Sequence, residues 1–232
     1  MFEFTPEEWT AIALSLRVAT VATLASLPAA VLAGYALARW SFPGKTLLNG
    51  VLHLPLVLPP VVTGYLLLLS FGRQGPIGSF LYDTLGITFS FRWTGAALAA
   101  AVMAFPLMLR AIRLSFETID RRLEAAAGTL GAGPFATFMM VTLPLAAPGI
   151  LAGVILCFAK ALGEFGATIT FVSNIPGETQ TIPSAIYSFT QVPGGESGAL
   201  RLATVSIVIS FAALIVSEAI GQRLLKRTSV FQ

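Results

Sequence analysis

Only a few side chains in this 232-residue sequence could take part in chemistry. Cys157 is the one cysteine, so an internal disulfide cannot form, and with a single histidine, His53, no cluster of metal ligands is apparent. We find no nucleophile paired with a base and no glycine-rich phosphate loop. Catalysis by this chain is therefore not expected, and the sequence predicts neither a cofactor nor a metal site.

One ionisable pair, Lys160 and Glu164, stands near the end of an apolar run. The spacing of four residues would place both on one face of a helix, and the phrase LGEFGAT (162–168) surrounds the glutamate with glycine. Charges inside a membrane segment are costly and are often functional. The pair is predicted to form either a local salt bridge or part of a gate.

The elements that position these residues are predicted to be membrane helices. The chain is 56% hydrophobic and 11% charged, with a mean hydropathy of +0.83, which a water-soluble fold of this size could not bury. We predict an all-α integral membrane protein in a lipid bilayer, with one transmembrane domain over residues 1–232. A span needs about 20 residues, and five are predicted at about 9–40, 50–71, 93–114, 147–167 and 201–224.

The second span differs from the others because it carries Pro55, Pro59, Pro60 and Gly64 at membrane depth. Proline removes a backbone donor and clashes with the preceding turn, so this helix is predicted to be kinked or broken. Irregular backbone is tolerated in a bilayer only where protein buries it or water lines it. The second span is therefore a candidate for a transport pathway, and a kinked helix that only packs is the alternative.

Local patterns predict one helix start and two packing faces. Thr5, Pro6 and Glu8 form the pattern of an N-cap, a first-turn proline and a capping-box glutamate. The alanine-rich third span is predicted to lie centrally in the bundle, and Gly149 and Gly153 have the GxxxG spacing of close helix packing.

The basic residues indicate which side of the membrane each end faces. With the amino terminus outside, nine of the fourteen Lys and Arg residues lie inside: Arg39, Lys45, Arg110, Arg113, Arg121, Arg122, Arg223, Lys226 and Arg227. Three lie outside (Arg73, Arg92 and Arg201), and Arg17 and Lys160 fall within spans. The positive-inside rule predicts an outside amino terminus and a cytoplasmic carboxyl terminus. It also accounts for the net charge of +3, so nucleic acid is not an expected partner.

A polar, glycine-punctuated stretch at 121–144 interrupts the apolar sequence on the predicted cytoplasmic side. Residues 124–130 are strong helix formers, 131–134 form a break, and 135–142 are apolar enough to return along the membrane. A short helix ended by glycine is suited to a socket in another protein. An ordinary amphipathic connector is the alternative.

This stretch resembles the EAA loop with which permease subunits of bacterial ABC importers engage their ATPases. The residues that carry the resemblance are Ala126, Ala127, Leu130, Gly131, Val141, Leu143 and Pro144. One departure is that Ala125 holds the position of the usual glutamate, and Glu124 stands one residue earlier. The resemblance implies that a coupling loop at about 115–146 contacts an ATPase through these residues, with Glu124 in doubt.

Two further stretches resemble the molybdate permeases within that family: HLPLVLPPVVTGYLLL (53–68) and GEFGATITFVSNIPGETQTIPSAIY (163–187). Sulfate and thiosulfate permeases are similar over the glutamate-glycine phrase and the triplet 174–176. The resemblance implies a type I importer permease of the bacterial inner membrane that carries no ATPase activity of its own. Its implied partners are a second copy of the chain, two cytoplasmic ATPase subunits and a periplasmic or lipid-anchored molybdate-binding protein.

A pore that bound a dianion tightly would not release it, so neutral groups are expected to line the pathway. The candidates, chosen beside proline or glycine breaks, are Thr63, Gly64, Thr168, Thr170 and Ser173. Glu164 would repel an anion and is expected to brace a gate. The alternatives left open are a sulfate, thiosulfate or tungstate permease, an ATP-independent anion transporter and a membrane scaffold.

Overall fold

The structure is a computed structural model that describes residues 4–228. Side chains of 217, 218 and 220–228 lie outside what it describes, among them the predicted cytoplasmic Arg223, Lys226 and Arg227. Every regular element in the described range is helical: α1 (Pro6–Arg39), α2 (Lys45–Val57), α3 (Pro60–Phe71), α4 (Pro76–Leu85), α5 (Trp93–Thr118), α6 (Arg121–Thr129), α7 (Pro134–Thr137), α8 (Leu143–Leu162), α9 (Gly166–Val172), α10 (Ile182–Thr190) and α11 (Glu196–Thr228). A π-helical turn at Phe138–Thr142 joins α7 to α8.

Four helical stretches in the described residues are long and apolar enough to cross a membrane. They are α1, α5, the run from α7 through α8, and α11 as far as Val216; α2 and α3 make a fifth only if the bent pair is one span. The predicted multi-pass all-α architecture is confirmed. The first and third spans lie where they were predicted, although α1 begins at Pro6 and α5 continues to Thr118.

The start of α1 has the predicted capping box and is tied to the start of α11. The Thr5 hydroxyl accepts the Glu8 amide N–H (3.3 Å), and the Glu8 carboxylate accepts the Thr5 amide N–H (2.7 Å). The buried Glu8 carboxylate also accepts hydrogen bonds from Arg201, the shortest at 2.7 Å. This ion pair therefore fixes the first and last long helices at one end of the bundle.

Helix α5 lies at the centre of the bundle, as its alanine content predicts, and packs against α1 and α8. The two glycines with GxxxG spacing allow the close approach of α8. Gly149 faces Ser115, and a Cβ on Gly153 would lie 3.0 Å from the carbonyl oxygen of Met108. Their predicted packing role is confirmed.

The predicted break in the second span is confirmed. Helices α2 and α3 meet at Leu58 and Pro59, and their axes turn by 114°. Pro60 is the first residue of α3, a position whose N–H would make no hydrogen bond within the helix, so proline costs no bond there. The first half starts earlier than predicted, at Lys45, and has no buried residue, whereas α3 packs against α9.

The predicted fourth span, 147–167, is wrong at both ends. The apolar helical stretch begins with α7 and ends at Leu162, and the residues after Gly163 form the separate helix α9. The prediction assigned the prolines to a loop, but Pro134 and Pro144 occupy first-turn positions of α7 and α8. The π-helical turn directly precedes Pro144, whose nitrogen cannot donate to the preceding turn.

The predicted connector 115–146 is correspondingly shorter. Residues 119–133, which include α6, connect α5 to α7, and we call this segment the coupling loop. Leu143 and Pro144, predicted to return from a loop, lie inside the helical run instead.

Candidate coupling loop and gate

The coupling loop presents a short helix with defined ends. The Asp120 carboxylate accepts the Arg122 amide N–H at 2.9 Å and so caps α6. After α6, Gly131 has φ of +89°, a conformation that L side chains rarely adopt. The following Ala132 amide N–H then donates to the Ala127 carbonyl at 3.0 Å, the bond that closes a Schellman motif. The prediction that a glycine ends the short helix is therefore confirmed at Gly131.

Apolar side chains around α6 face outward. No residue of α6 is buried, and the exposed fractions of Leu130, Phe135 and Met140 are 89%, 74% and 77%. Among the other predicted coupling residues, Ala126 is exposed and Ala127 is half-buried. Exposed large apolar side chains in one region are typical of a surface that another molecule covers.

Glu124 is held from within the chain. One carboxylate oxygen lies 3.0 Å from Nη2 of Arg39, at the end of α1, and accepts the Thr142 hydroxyl at 2.8 Å. The Glu124 side chain is 20% exposed and that of Arg39 is 7% exposed. The carboxylate therefore contacts two other elements of its own chain.

Two of the predicted pathway residues, Gly64 and Thr170, meet where α3 packs against α9. A Cβ on Gly64 would lie 2.5 Å from the Ala167 carbonyl oxygen and 2.9 Å from Cβ of Thr170. A Cβ on Gly166 would lie 2.8 Å from Cβ of Pro60. The two helices thus approach at a distance that only glycine permits, and we call this the α3–α9 contact.

The threonine hydroxyls at this contact are enclosed. Thr63 is 5% exposed, and its hydroxyl has no hydrogen-bond partner among the described residues. Thr168 is 3% exposed and donates to the Phe165 carbonyl at 2.8 Å, and Thr170 donates to the Gly166 carbonyl at 2.7 Å. In this conformation the hydroxyls of α9 bond to carbonyls at the start of their own helix; Thr63 and Thr168 are buried and Thr170 is half-buried.

The spacing of Glu164 from Lys160 predicts that both lie on one helix, but Glu164 lies in the break between α8 and α9. It is 2% exposed, forms an ion pair with Lys160 at 2.8 Å and accepts the Ala167 amide N–H at 3.1 Å. The carboxylate therefore joins the end of α8 to the first turn of α9, where negative charge is favourable.

Ser173 ends α9 in a strained conformation. Its φ of +67° and ψ of −159° lie in a region that is essentially reserved for glycine. The Thr179 hydroxyl lies 3.4 Å from the Ser173 carbonyl oxygen and accepts the Ile175 amide N–H at 2.8 Å. The α3–α9 contact thus has an ion pair at one end of α9 and backbone strain at the other.

Comparison with known proteins identifies the family. Residues 26–227 match the model of the "Binding-protein-dependent transport system inner membrane component". The chain belongs to this family. The permease is 62% identical over 214 residues to the molybdenum transport system permease protein ModB of Escherichia coli (strain K12), covering 92% of this chain and 93% of the relative. It is 38% identical over 201 residues to the sulfate transport system permease protein CysW of Synechococcus elongatus, covering 85% and 70%.

The fold of the permease agrees with that of a solved importer. It aligns with a chain of the MetNI methionine ABC transporter, in a structure of inward-facing conformations, with a TM-score of 0.67. The alignment covers 94% of each chain at 14% identity. The fold expected from the sequence resemblance, that of an importer permease, and the resemblance to molybdate permeases are both confirmed, and the permease is a multi-pass inner membrane protein.

Sequence reasoning missed two polar partners in this permease. Arg39 was counted only as a topology marker, and Thr142 was placed in an apolar return. Both bind Glu124, but contacts between residues so distant in sequence leave no periodic pattern. The one signal in the sequence was that Glu124 stands one residue before the position where the resembling loops have glutamate.

Proposed function

We propose that this permease is the membrane-spanning subunit of an ATP-driven importer of molybdate. Two copies of the chain enclose the pathway, and two copies of a separate cytoplasmic ATPase bind the coupling loops. A periplasmic or lipid-anchored binding protein delivers the oxyanion. Three observations together support this proposal. The helix α6 is capped and exposed, and α3 and α9 make a close glycine contact beside the helix break. Most of the chain is similar to a molybdenum permease.

The choice of molybdate over sulfate rests on relative similarity. The molybdenum permease matches this chain at much higher identity, and over more of its length, than the sulfate permease does. Molybdate, tungstate and sulfate are all tetrahedral dianions, so the family chemistry is shared. A binding protein supplies the discrimination, because a pathway that held a dianion tightly would release it slowly.

The orientation follows from the basic residues. The coupling loop faces the cytoplasm, the amino terminus lies outside and the carboxyl terminus is cytoplasmic. Arg39, Arg110 and Arg113 stand near the end of the bundle that carries α6, whereas Arg201 stands at the other end beside Glu8. That asymmetry supports the positive-inside assignment.

Coupling converts an ATPase movement into a change at the α3–α9 contact. ATP binding closes the ATPase pair, draws the two coupling loops together and opens the pathway outward; hydrolysis and product release return it inward. The chain itself contributes no ATPase residues and is a two-state element whose equilibrium is biased by the nucleotide on its partner.

The α3–α9 contact is the gate of this pathway. Thr63 and Gly64 on α3, and Thr168, Thr170 and Ser173 on or beside α9, are separated when the gate opens and then present neutral groups to the anion. Glu164 braces the gate by holding α9 against α8. The buried hydroxyl of Thr63, which has no hydrogen-bond partner within the described part of the chain, supports this role, since such a group gains a partner when the contact opens.

Uptake by the reconstituted complex tests the proposal. The permease is reconstituted in vesicles with a candidate ABC ATPase and a candidate molybdate-binding protein, and uptake of labelled molybdate is measured with and without ATP. Uptake that requires ATP and is competed by tungstate more than by sulfate is expected. Uptake that is independent of ATP would make the chain a secondary transporter, and competition by sulfate alone would make it a sulfate permease.

A further inference from the structure

Arg39 connects three segments at the end of the bundle that carries the coupling loop. It is the last residue of α1, and its Nη2 lies 3.0 Å from Oε1 of Glu124 and 3.1 Å from the carbonyl oxygen of Ile119, which follows α5. Only 7% of its side chain is exposed. A guanidinium that is almost enclosed and bonded in this way holds the ends of α1 and α5 and the coupling helix together.

Glu124 extends this connection to α8. The oxygen that faces Arg39 also accepts the hydroxyl of Thr142, which is fully buried and ends the π-helical turn before α8. Within the part of the chain that the structure describes, this hydrogen bond and the ion pair with Arg39 are the only side-chain polar contacts from α6 to another helix or turn. We call Arg39, Glu124 and Thr142 the latch.

Aromatic side chains pack beside the latch. The ring centroids of Tyr35 and Phe138 are 4.9 Å apart, and those of Tyr35 and Phe116 are 5.5 Å apart. The three rings join α1, α5 and the π-helical turn, the same elements that the latch reaches. Ion pairs and hydrogen bonds are stronger where water is excluded, so this packing favours a firm connection.

The position of Glu124 explains why it faces inward. Successive residues of a helix are separated by about 100° around its axis. Ala125, at the position where the resembling loops have glutamate, is exposed, and Glu124 is turned toward α1 and α8. Glu124 is therefore not a displaced substitute for a carboxylate that points at the ATPase.

We propose that Glu124 is a positioning residue that transmits movement of α6 to the ends of α1 and α8 through the latch. This inference rests on the proposed docking of an ATPase at the coupling loop. Because the Glu124 carboxylate contacts Arg39 of α1 and Thr142 directly before α8, a displacement of α6 also moves the ends of these two helices. Without the carboxylate, α6 can be displaced while the ends of α1 and α8 stay in place. Docking itself depends on the outward face of α6 and does not require the latch.

Substitutions at both ends of the latch test this inference in the reconstituted complex. Glu124→Gln keeps the side-chain shape and removes the charge, and Thr142→Val removes only the hydroxyl bond. Glu117→Gln is the matched control, since Glu117 pairs with Arg113 on exposed α5 surface and forms no side-chain hydrogen bond or ion pair with the coupling loop among the residues that the structure describes. Two quantities are measured for each variant: ATPase recovered with the purified permease, and molybdate transported per ATP hydrolysed.

The latch variants are expected to recover the ATPase as the wild type does and to transport less molybdate per ATP. For Glu124→Gln the loss is on the order of tenfold, the size associated with one charge-assisted hydrogen bond. The double variant Arg39→Glu with Glu124→Arg is expected to recover part of that loss. The Glu117→Gln control is expected to match the wild type in both quantities.

Two results would overturn the inference. Loss of ATPase binding in Glu124→Gln but not in Thr142→Val would show that Glu124 contacts the ATPase directly. Unchanged transport of molybdate per ATP in both variants would show that the latch does not transmit movement. If the wild-type permease binds no ATPase, the proposed function fails and the latch is still tested by hydrogen exchange of residues 121–129 in the chain alone. Faster exchange in Glu124→Gln than in Glu117→Gln then supports the latch, and equal exchange contradicts it.

Discussion

The coupling loop and the α3–α9 contact use opposite means of joining helices. The coupling loop holds a nine-residue helix with no buried residue, connected to other helices by one carboxylate. The α3–α9 contact depends on backbone-to-backbone approach at Gly64 and buries Thr63 and Thr168. The coupling loop is the surface that we propose an ATPase covers, and the α3–α9 contact is the one that we propose opens as a gate. The proposed coupling of an ATPase to a gate needs both an exposed docking helix and a helix contact that can open.

Adding a single methyl group at Gly64 is expected to have the largest effect. In Gly64→Ala the new Cβ would meet the Ala167 carbonyl oxygen at 2.5 Å, and backbone cannot yield as a side chain can. Overpacking costs about 1–3 kcal/mol, so the closed contact is expected to become roughly 5- to 150-fold less favoured. Anion leak into vesicles without ATP measures this change.

Gly50→Ala is the matched control for that substitution. Gly50 lies inside α2, the other helix of the bent pair, and a Cβ there would meet nothing within 4 Å. Leak from Gly50→Ala vesicles is expected to equal that of the wild type. Equal leak from both alanine variants would remove the α3–α9 contact from its role as the gate.

Gly131→Val is expected to affect the coupling loop and spare the gate. Space is not limiting, since a Cβ would meet nothing within 4 Å, but the φ of +89° costs a β-branched residue about 1–2 kcal/mol. The end of α6 is expected to unwind, so less ATPase is recovered with the permease while membrane insertion is unchanged. Gly131→Asn, which tolerates positive φ, is expected to keep more of the ATPase. Full ATPase recovery with Gly131→Val would contradict the docking role.

Substitution of the gate hydroxyls is expected to have a smaller effect. Thr63→Val and Thr168→Val keep the side-chain shape and remove the neutral groups proposed to meet the anion, so uptake is expected to fall several-fold, about the contribution of one hydrogen bond. Thr204→Val is the control for Thr168, because its hydroxyl also bonds the preceding turn, at 2.8 Å. Unchanged uptake and coupling in both variants would show that the pathway lies elsewhere.

The smallest expected change is at Ser173. Glycine adopts its φ of +67° and ψ of −159° without a steric penalty, so Ser173→Gly is expected to stabilise the protein by about 1 kcal/mol. Ser173→Ala retains the strain and is expected to leave stability unchanged. Thermal unfolding of the two variants in detergent makes the comparison, and a lower unfolding temperature for Ser173→Gly would contradict it.

The same two regions show what the sequence could predict. The prolines between α2 and α3 and the glycine at 131 are local signals with local causes, and both led to correct structural expectations. The membrane class and the central position of α5 followed from composition. The start of the fourth span was misplaced because Pro134 and Pro144 are compatible with helix starts as well as with loops.

Contacts between distant segments were beyond the sequence pattern. Gly64 and Thr170 were selected separately, for their neighbours in sequence, and their meeting across the α3–α9 contact depends on how α9 folds back after Gly163. Arg39 and Thr142 gave no signal that they would bind Glu124, because the pairing depends on how α1, α6 and α8 are packed.

The central claim is that the permease passes motion from a docked ATPase to a gate for molybdate. Its most direct test is the rate of ATP hydrolysis by the reconstituted complex, with the binding protein present and with or without molybdate. We predict that molybdate-loaded binding protein raises this rate, and that Gly131→Val abolishes the rise. No stimulation by molybdate, tungstate or sulfate in a wild-type complex that contains the ATPase would contradict the account.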